Sequence, residues 1–410
     1  MTVNVEELVR ESLREQADRS GPVPGNFADR VLAVRRRRRN RTIAGASLAL
    51  AAATAVAVAV PVLDSGSGKQ ETRTASELRS DDVVAHPGQT PPRELIAAGD
   101  TALAAYSTFK RVPQGKGVEI NTRTYRLLDQ RTGTYKKDTR WSYLDIAPGM
   151  RTAAVLEPEL PARRIGLLDM VTGKVERWIK TPRGVGGVEF SPDGGKLVAT
   201  TYAENPDRFD MQHPVSDGKK TSPGPATPSR TGFYVVDVAS GESGWNKVAT
   251  KVVELGPASI NTRQDFAFSH DGRLVYSGLT SAPHQQYYDL AGHKRSKPVK
   301  ERHLHWFDEA WLSPSGRLAA GGFAGGARTT ASEVIDPLTG KRVAKIPGQQ
   351  LLAWADDRRL IAWDIARGSN EYRQRLVLVT IGSKKTVPLS GYRTSDFDSG
   401  GRWHPVFAAR

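Results

Sequence analysis

The densest run of side chains with ligand or acid–base chemistry is His303-Leu304-His305-Trp306-Phe307-Asp308-Glu309. On a strand, His303 and His305 would share a face and could hold a metal together with a carboxylate such as Asp308. The same three groups on one face of a fold would suit a metal-dependent hydrolase or lyase. Two histidines flanking a leucine more often pack against neighbours or face solvent. No metal, cofactor or catalytic residue is therefore assigned to them. Elsewhere there is no G-x-S-x-G elbow, no Walker A loop and no H-E-x-x-H. The chain has no cysteine, which excludes disulfides, thiolate zinc sites and cysteine nucleophiles.

The elements that would position this run come from a repeat. Phe190-Ser191-Pro192-Asp193-Gly194-Gly195-Lys196-Leu197 reads as strand, tight turn, strand, with Pro192 and Gly194 supplying the turn geometry. Phe268-Ser269-His270-Asp271-Gly272-Arg273-Leu274 and Leu312-Ser313-Pro314-Ser315-Gly316-Arg317-Leu318 are close copies. Worn copies lie around Ala147-Pro148-Gly149, Asp356-Asp357 and Ser399-Gly400-Gly401. Aligned at the glycine, the six stand at 150, 194, 272, 316, 358 and 401. A period in the low forties is one four-stranded propeller blade. The single longer gap places an insertion at Ala203 to Arg230, expected to be ordered only in part.

A second motif, Asp followed by Ser or Thr and then Gly, interleaves with the first at Asp129, Asp169, Asp237 and Asp336, with a shorter form at Asp289. It reads as the turn between a blade's outer strands, with the aspartates accepting backbone N–H bonds. The first outer motif precedes the first inner hairpin, and the last inner hairpin has no outer motif after it. The two ends should therefore share one blade and close the ring. The expected fold is all-β: a six-bladed β-propeller over residues 118–410. Seven blades are the alternative if Glu94 to Asn121 supplies strands.

The N-terminal third differs. Asn4 to Ala17 reads as a helix with Asn4 and Glu7 as a capping pair and an apolar stripe of Val5, Leu8, Val9 and Leu13. Arg35, Arg36, Arg37, Arg38 and Arg39 then precede Thr42 to Leu63, 22 residues without a charge. That length spans a bilayer, and the arginines on one side place the N-terminus in the cytoplasm. Ala57-Val58-Ala59 resembles a signal-peptidase site, but the long preceding segment favours an uncleaved anchor. The arginine run beside an apolar span reads as topogenic, not as a nucleic-acid patch. The division is a cytoplasmic segment 1–41, a transmembrane helix 42–63, and a tether with a rim-packing segment 64–117 ahead of the propeller. The net charge is +15, of which +11 lies beyond residue 63, which favours acidic partners outside the cell.

The S-P-D-G hairpins followed by an Asp-x-x-[ST]-Gly-Lys turn resemble the TolB-type and WD40-like propellers of bacteria, over roughly residues 118–410. Phe190 to Thr200, Phe268 to Gly278 and Leu312 to Gly322 carry the likeness. The Gly-His and Trp-Asp signatures of WD40 repeats are missing, so TolB-like is nearer. The layout is similar to actinobacterial membrane-anchored propeller proteins, some of them encoded beside extracytoplasmic-function sigma factors. That resemblance implies a regulator docking a cytoplasmic protein through the Val5, Leu8, Val9 and Leu13 stripe. The chain departs from the zinc-binding anti-sigma pattern in having no Cys and no His before the span. The functional expectation is a single-pass cell-membrane protein without catalysis. Its extracytoplasmic propeller would bind protein or acidic wall polymer, with the anti-sigma-like regulator as the alternative.

Overall fold

The computed structural model describes residues 82–216, 221–250, 263–279, 282–326, 330–394 and 402–410. The expected cytoplasmic helix with its Val5, Leu8, Val9 and Leu13 stripe, Arg35 to Arg39, the expected span 42–63 and the first part of the expected tether lie outside these residues. Among the described residues no helix is long and apolar enough to cross a membrane.

The described chain is all-β and propeller-like. Its strands fall into antiparallel quartets, taken from the first strand to the fourth. One quartet is Trp403–Ala409, Thr101–Gly115, Val118–Asp129 and Thr134–Asp138. The next begins with Tyr143–Ile146, Thr152–Leu156 and Ala162–Asp169. The long run Val175–Phe190 serves two quartets. Residues 175–180 pair back to Ala162–Asp169, and residues 185–190 pair forward to Lys196–Tyr202. Arg230–Asp237 and Ser243–Lys247 complete that third group.

The fourth quartet is Phe266–Phe268, Leu274–Gly278, Gln285–Asp289 and Lys294–Arg295. The fifth is Ala319–Phe323, Ala331–Ile335 and Arg342–Pro347, with Leu312 bridged to Ala319 in first position. The sixth is Gln350–Trp354, Arg359–Ile365, Gln374–Thr380 and Thr386–Pro388.

Burial explains the strand sequences. Middle strands such as Lys196–Tyr202 and Gln374–Thr380 bury nearly every residue, because quartets pack on both of their faces. Fourth strands such as Lys294–Arg295 and Ser243–Lys247 are short and exposed, which blunts their free edges. Apolar cores sit between successive quartets. Leu156 and Ile165 share one with Leu197 and Val236. Phe233 meets Phe266 at 4.7 Å in another.

The seam between the sixth quartet and the first is closed by Trp403, which is fully buried. Its ring lies 5.4 Å from Trp363 and 5.7 Å from Tyr106. The chain ends therefore share one sheet, as the motif order requires. One C-terminal strand joins three N-terminal ones, and residues 395–401 lie outside the description. The segment Thr101–Gly115, expected on the rim, is a sheet strand. Its Ala-Leu-Ala-Ala run carries little strand propensity of its own, but it is buried between two partners.

Alternating strand direction sorts the connections onto two ends. Turns from first to second strand and from third to fourth share one end, the turn face. Connections from second to third strand and between quartets share the other, the loop face. The insertion is on the loop face. It forms a hairpin, Arg208–Ser216 with Thr221–Pro225, that extends the first quartet through Arg208–Ile120 and Phe209–Glu119 pairing.

Candidate functional site

On the turn face the aspartates cap their own turns. Asp193 Oδ1 accepts from Ser191 Oγ at 2.5 Å and from Gly195 N at 3.0 Å. Asp271 repeats this with Ser269 Oγ and Arg273 N. In an outer turn, Asp169 Oδ1 accepts from Val171 N and Thr172 N, and these bonds help hold its carboxyl below the usual range.

The first strands converge on a different set of charges. Asp145 and Glu189 occupy the same repeat position, two residues before the turn residues Ala147 and Ser191. Asp145 Oδ2 accepts from Phe190 N at 2.7 Å, and Glu189 Oε1 accepts from Phe268 N at 3.0 Å. Each carboxylate thus ties one quartet to the next. Both are half-buried. Burial pushes Asp145 up to about 6. Glu189 is pushed up to about 8, first by burial and then by the charges of Asp145 and Asp265. A protonated Glu189 at neutral pH is a hydrogen-bond donor.

In the next three repeats this position holds Ala267, Trp311 and Ala353. Glu301, on the 3₁₀ turn Val299–Glu301 that follows the fourth quartet, bonds back to that quartet. It accepts from His270 N at 2.9 Å and from Tyr287 Oη at 2.6 Å. Trp311 stacks on Tyr276 at 5.0 Å.

Asp207, at the start of the insertion, joins three parts of the chain. It takes two bonds from Arg123 (2.5 and 2.9 Å) and two from Arg263 (2.7 and 2.6 Å). Arg263 also bonds Asp265 at 3.0 Å, and Tyr202 Oη donates to Asp265 at 2.8 Å. The ring of Tyr143 lies under both guanidinium groups. Burial alone would raise the Asp207 carboxyl, but the Arg263 charge and the bonds from both arginines outweigh it and hold it far down.

At the seam between the sixth quartet and the first, Arg393 stacks 3.7 Å from the Trp363 ring and donates to Trp403 O at 2.7 Å. It shares the Gln374 side-chain oxygen with Arg402. Burial, then the Arg402 charge, brings Arg393 down to about 9. Burial, then Arg393, Arg402 and Arg123, brings His404 to about 3, so its imidazole is neutral.

No family model matches the chain, and no curated protein matches it. Similar solved structures include Kuenenia stuttgartiensis hydrazine synthase, at 14% identity over 74% of this chain and 79% of that one, TM-score 0.34. A second is the β-propeller domain of Cps50 (Swd1) from Myceliophteria thermophila, at 16% identity over 72% of this chain and 100% of that one, TM-score 0.32. A third is TolB from Acinetobacter baumannii, at 15% identity over 70% of this chain and 66% of that one, TM-score 0.34. At these TM-scores the propeller-like description rests on the strand pairing, not on the likeness.

The histidine run is not a strand. Residues 302–310 are turns, because Asp308 Oδ2 accepts from His305 N at 2.8 Å and folds the chain back. His305 and Asp308 come together, at 3.3 Å. His303 lies instead beside Gly340, in the outer turn of the fifth quartet. Among the described residues no three His, Asp or Glu side chains are grouped to hold a metal ion. The partner of His305 is His284, with ring centroids 4.9 Å apart.

The same turns display Trp306 and Phe307 on the loop face, 38% and 44% exposed. Both are fixed: Trp306 Nε1 donates to Leu279 O at 3.0 Å, and Phe307 stacks on His305 at 5.0 Å. Aligning the hairpins would have placed Asp145 and Glu189 together. Asp207, Arg123 and Arg263 follow no period and carry no comparable signal.

Proposed function

We propose that the chain is a membrane-anchored, six-bladed β-propeller outside the cytoplasm that binds a protein or an acidic wall polymer through its loop face, without catalysis. The observation that carries this reading is the exposed, rigidly held Trp306–Phe307 pair. Large aromatic rings presented at low entropic cost are the side chains that dominate binding surfaces. The positive charge beyond residue 63 supports acidic partners. The uncharged stretch 42–63 behind five arginines supports the anchor.

The test is co-sedimentation of the detergent-solubilised full chain with purified cell-wall material, and with extracted surface protein in parallel. Replacing Trp306 and Phe307 together by Ala is expected to abolish retention and leave the melting temperature within a few degrees. Unchanged retention would remove the loop face from the reading. Protease access in spheroplasts tests the topology, and protection of the propeller would overturn it.

A further inference from the structure

The outer side of the first quartet holds a cavity of about 470 Å³ that the loop face does not include. One wall is the strap Gly88–Arg93, and the other is the sheet face of Tyr106, Arg126 and Tyr135. The strap is pinned in place. His86 bridges to Ser390, and Gly391 N donates to Gln89 O at 2.8 Å. Gln89 Oε1 accepts from Arg93 N at 2.8 Å, and Trp403 Nε1 donates to Thr90 Oγ1 at 3.2 Å. The cavity is preformed.

Its polar content is one-sided. Tyr106 Oη donates to Pro92 O and Tyr135 Oη donates to Leu103 O, so both phenols are satisfied, and their rings, packed 5.3 Å apart, form part of the cavity wall. Glu94, the carboxylate that follows the strap, pairs with His86 at 3.2 Å. The half-buried Arg126 side chain has no hydrogen-bond acceptor and no carboxylate within ion-pair distance among the described residues, and neither has Arg93. Lys137 stands directly opposite Arg126 in register and so on the same face, and among the described residues it likewise pairs with no carboxylate. Half-burying a guanidinium without a partner costs free energy that an incoming anion would recover.

We infer that this cavity binds an oxyanion, a carboxylate or phosphate carried on a small apolar or ring-bearing body. Arg126 and Arg93 grip the anion as planar forks, and the tyrosine rings and prolines take the body. This site does not depend on the loop-face reading.

Calorimetric titration of the full chain in detergent micelles at low ionic strength tests it, with inorganic phosphate and citrate as separate probes. The expected result is saturable one-to-one binding of at least one probe. Arg126→Gln should weaken it about tenfold or more, and Lys180→Gln, an exposed control, should leave it unchanged. The probe that binds more tightly assigns phosphate or carboxylate. Equal binding by wild type and Arg126→Gln, or no saturable binding of either probe, overturns the proposal. Should Arg126→Gln fail to fold, the exposed Arg93→Gln gives the same readout, with loss of affinity expected and unchanged affinity decisive against.

Discussion

The turn face and the charges around Asp207 and Glu189 solve the same problem, satisfying polar groups, over different distances along the chain. On the turn face each aspartate bonds backbone N–H groups two or three residues away, and the device recurs in successive quartets. Elsewhere the partners are far apart in the chain: Asp207 answers to Arg123 and Arg263, and Glu189 answers to Phe268. Local satisfaction makes each turn independent of its neighbours. Distant satisfaction makes the quartets depend on one another.

The largest effect should come from the distant kind. Asp207→Ala leaves two buried guanidinium groups without their shared carboxylate, and about 3–5 kcal/mol of stability should be lost. Urea denaturation measures it. A loss no greater than that of an exposed carboxylate would mean the three segments are not coupled.

A turn-face change should stay smaller. Gly194 has φ 72°, and an added Cβ would meet nothing closer than 3.4 Å, so Gly194→Ala pays only for backbone conformation. About 1–2 kcal/mol is expected, with thermal melting as the readout. A cost matching that of Asp207→Ala would erase the distinction between the faces.

A third effect is a pH dependence, read as a slope and not as a single loss. A carboxyl raised to about 8 in the folded state from an ordinary 4.5 stabilises fully below about pH 4.5, and that contribution is lost as pH rises through 8. Glu189→Gln should therefore gain stability relative to wild type between pH 5 and pH 9. A constant difference across that range would show that Glu189 ionises normally. Asp207 has the opposite sign. Its depressed carboxyl contributes above the ordinary carboxylate range and loses that contribution only in acid.

The same contrast decides what the sequence discloses. The turns are legible because Ser-Pro-Asp-Gly holds every group its hydrogen bonds need. The shared sheet of the two chain ends is legible too, from the order in which inner and outer motifs appear. The strand Thr101–Gly115 is not, because its alanines are neutral to strand formation and only burial between partners makes them one. His303, His305 and Asp308 look alike in the sequence, yet one hydrogen bond from His305 N to Asp308 turns the chain and parts His303 from the others. Arg126 is invisible for the opposite reason: its significance lies in what does not pair with it.

The seam at Trp403 bears on when the molecule becomes folded. Trp403 pairs with Thr108, so strands far apart along the chain lie side by side. During synthesis the Tyr106 and Trp363 rings must wait, uncovered, until the final strand has emerged. Closing so long a loop is slow and entropically costly. The nascent chain therefore passes through an open-ring stage with an apolar edge on each side.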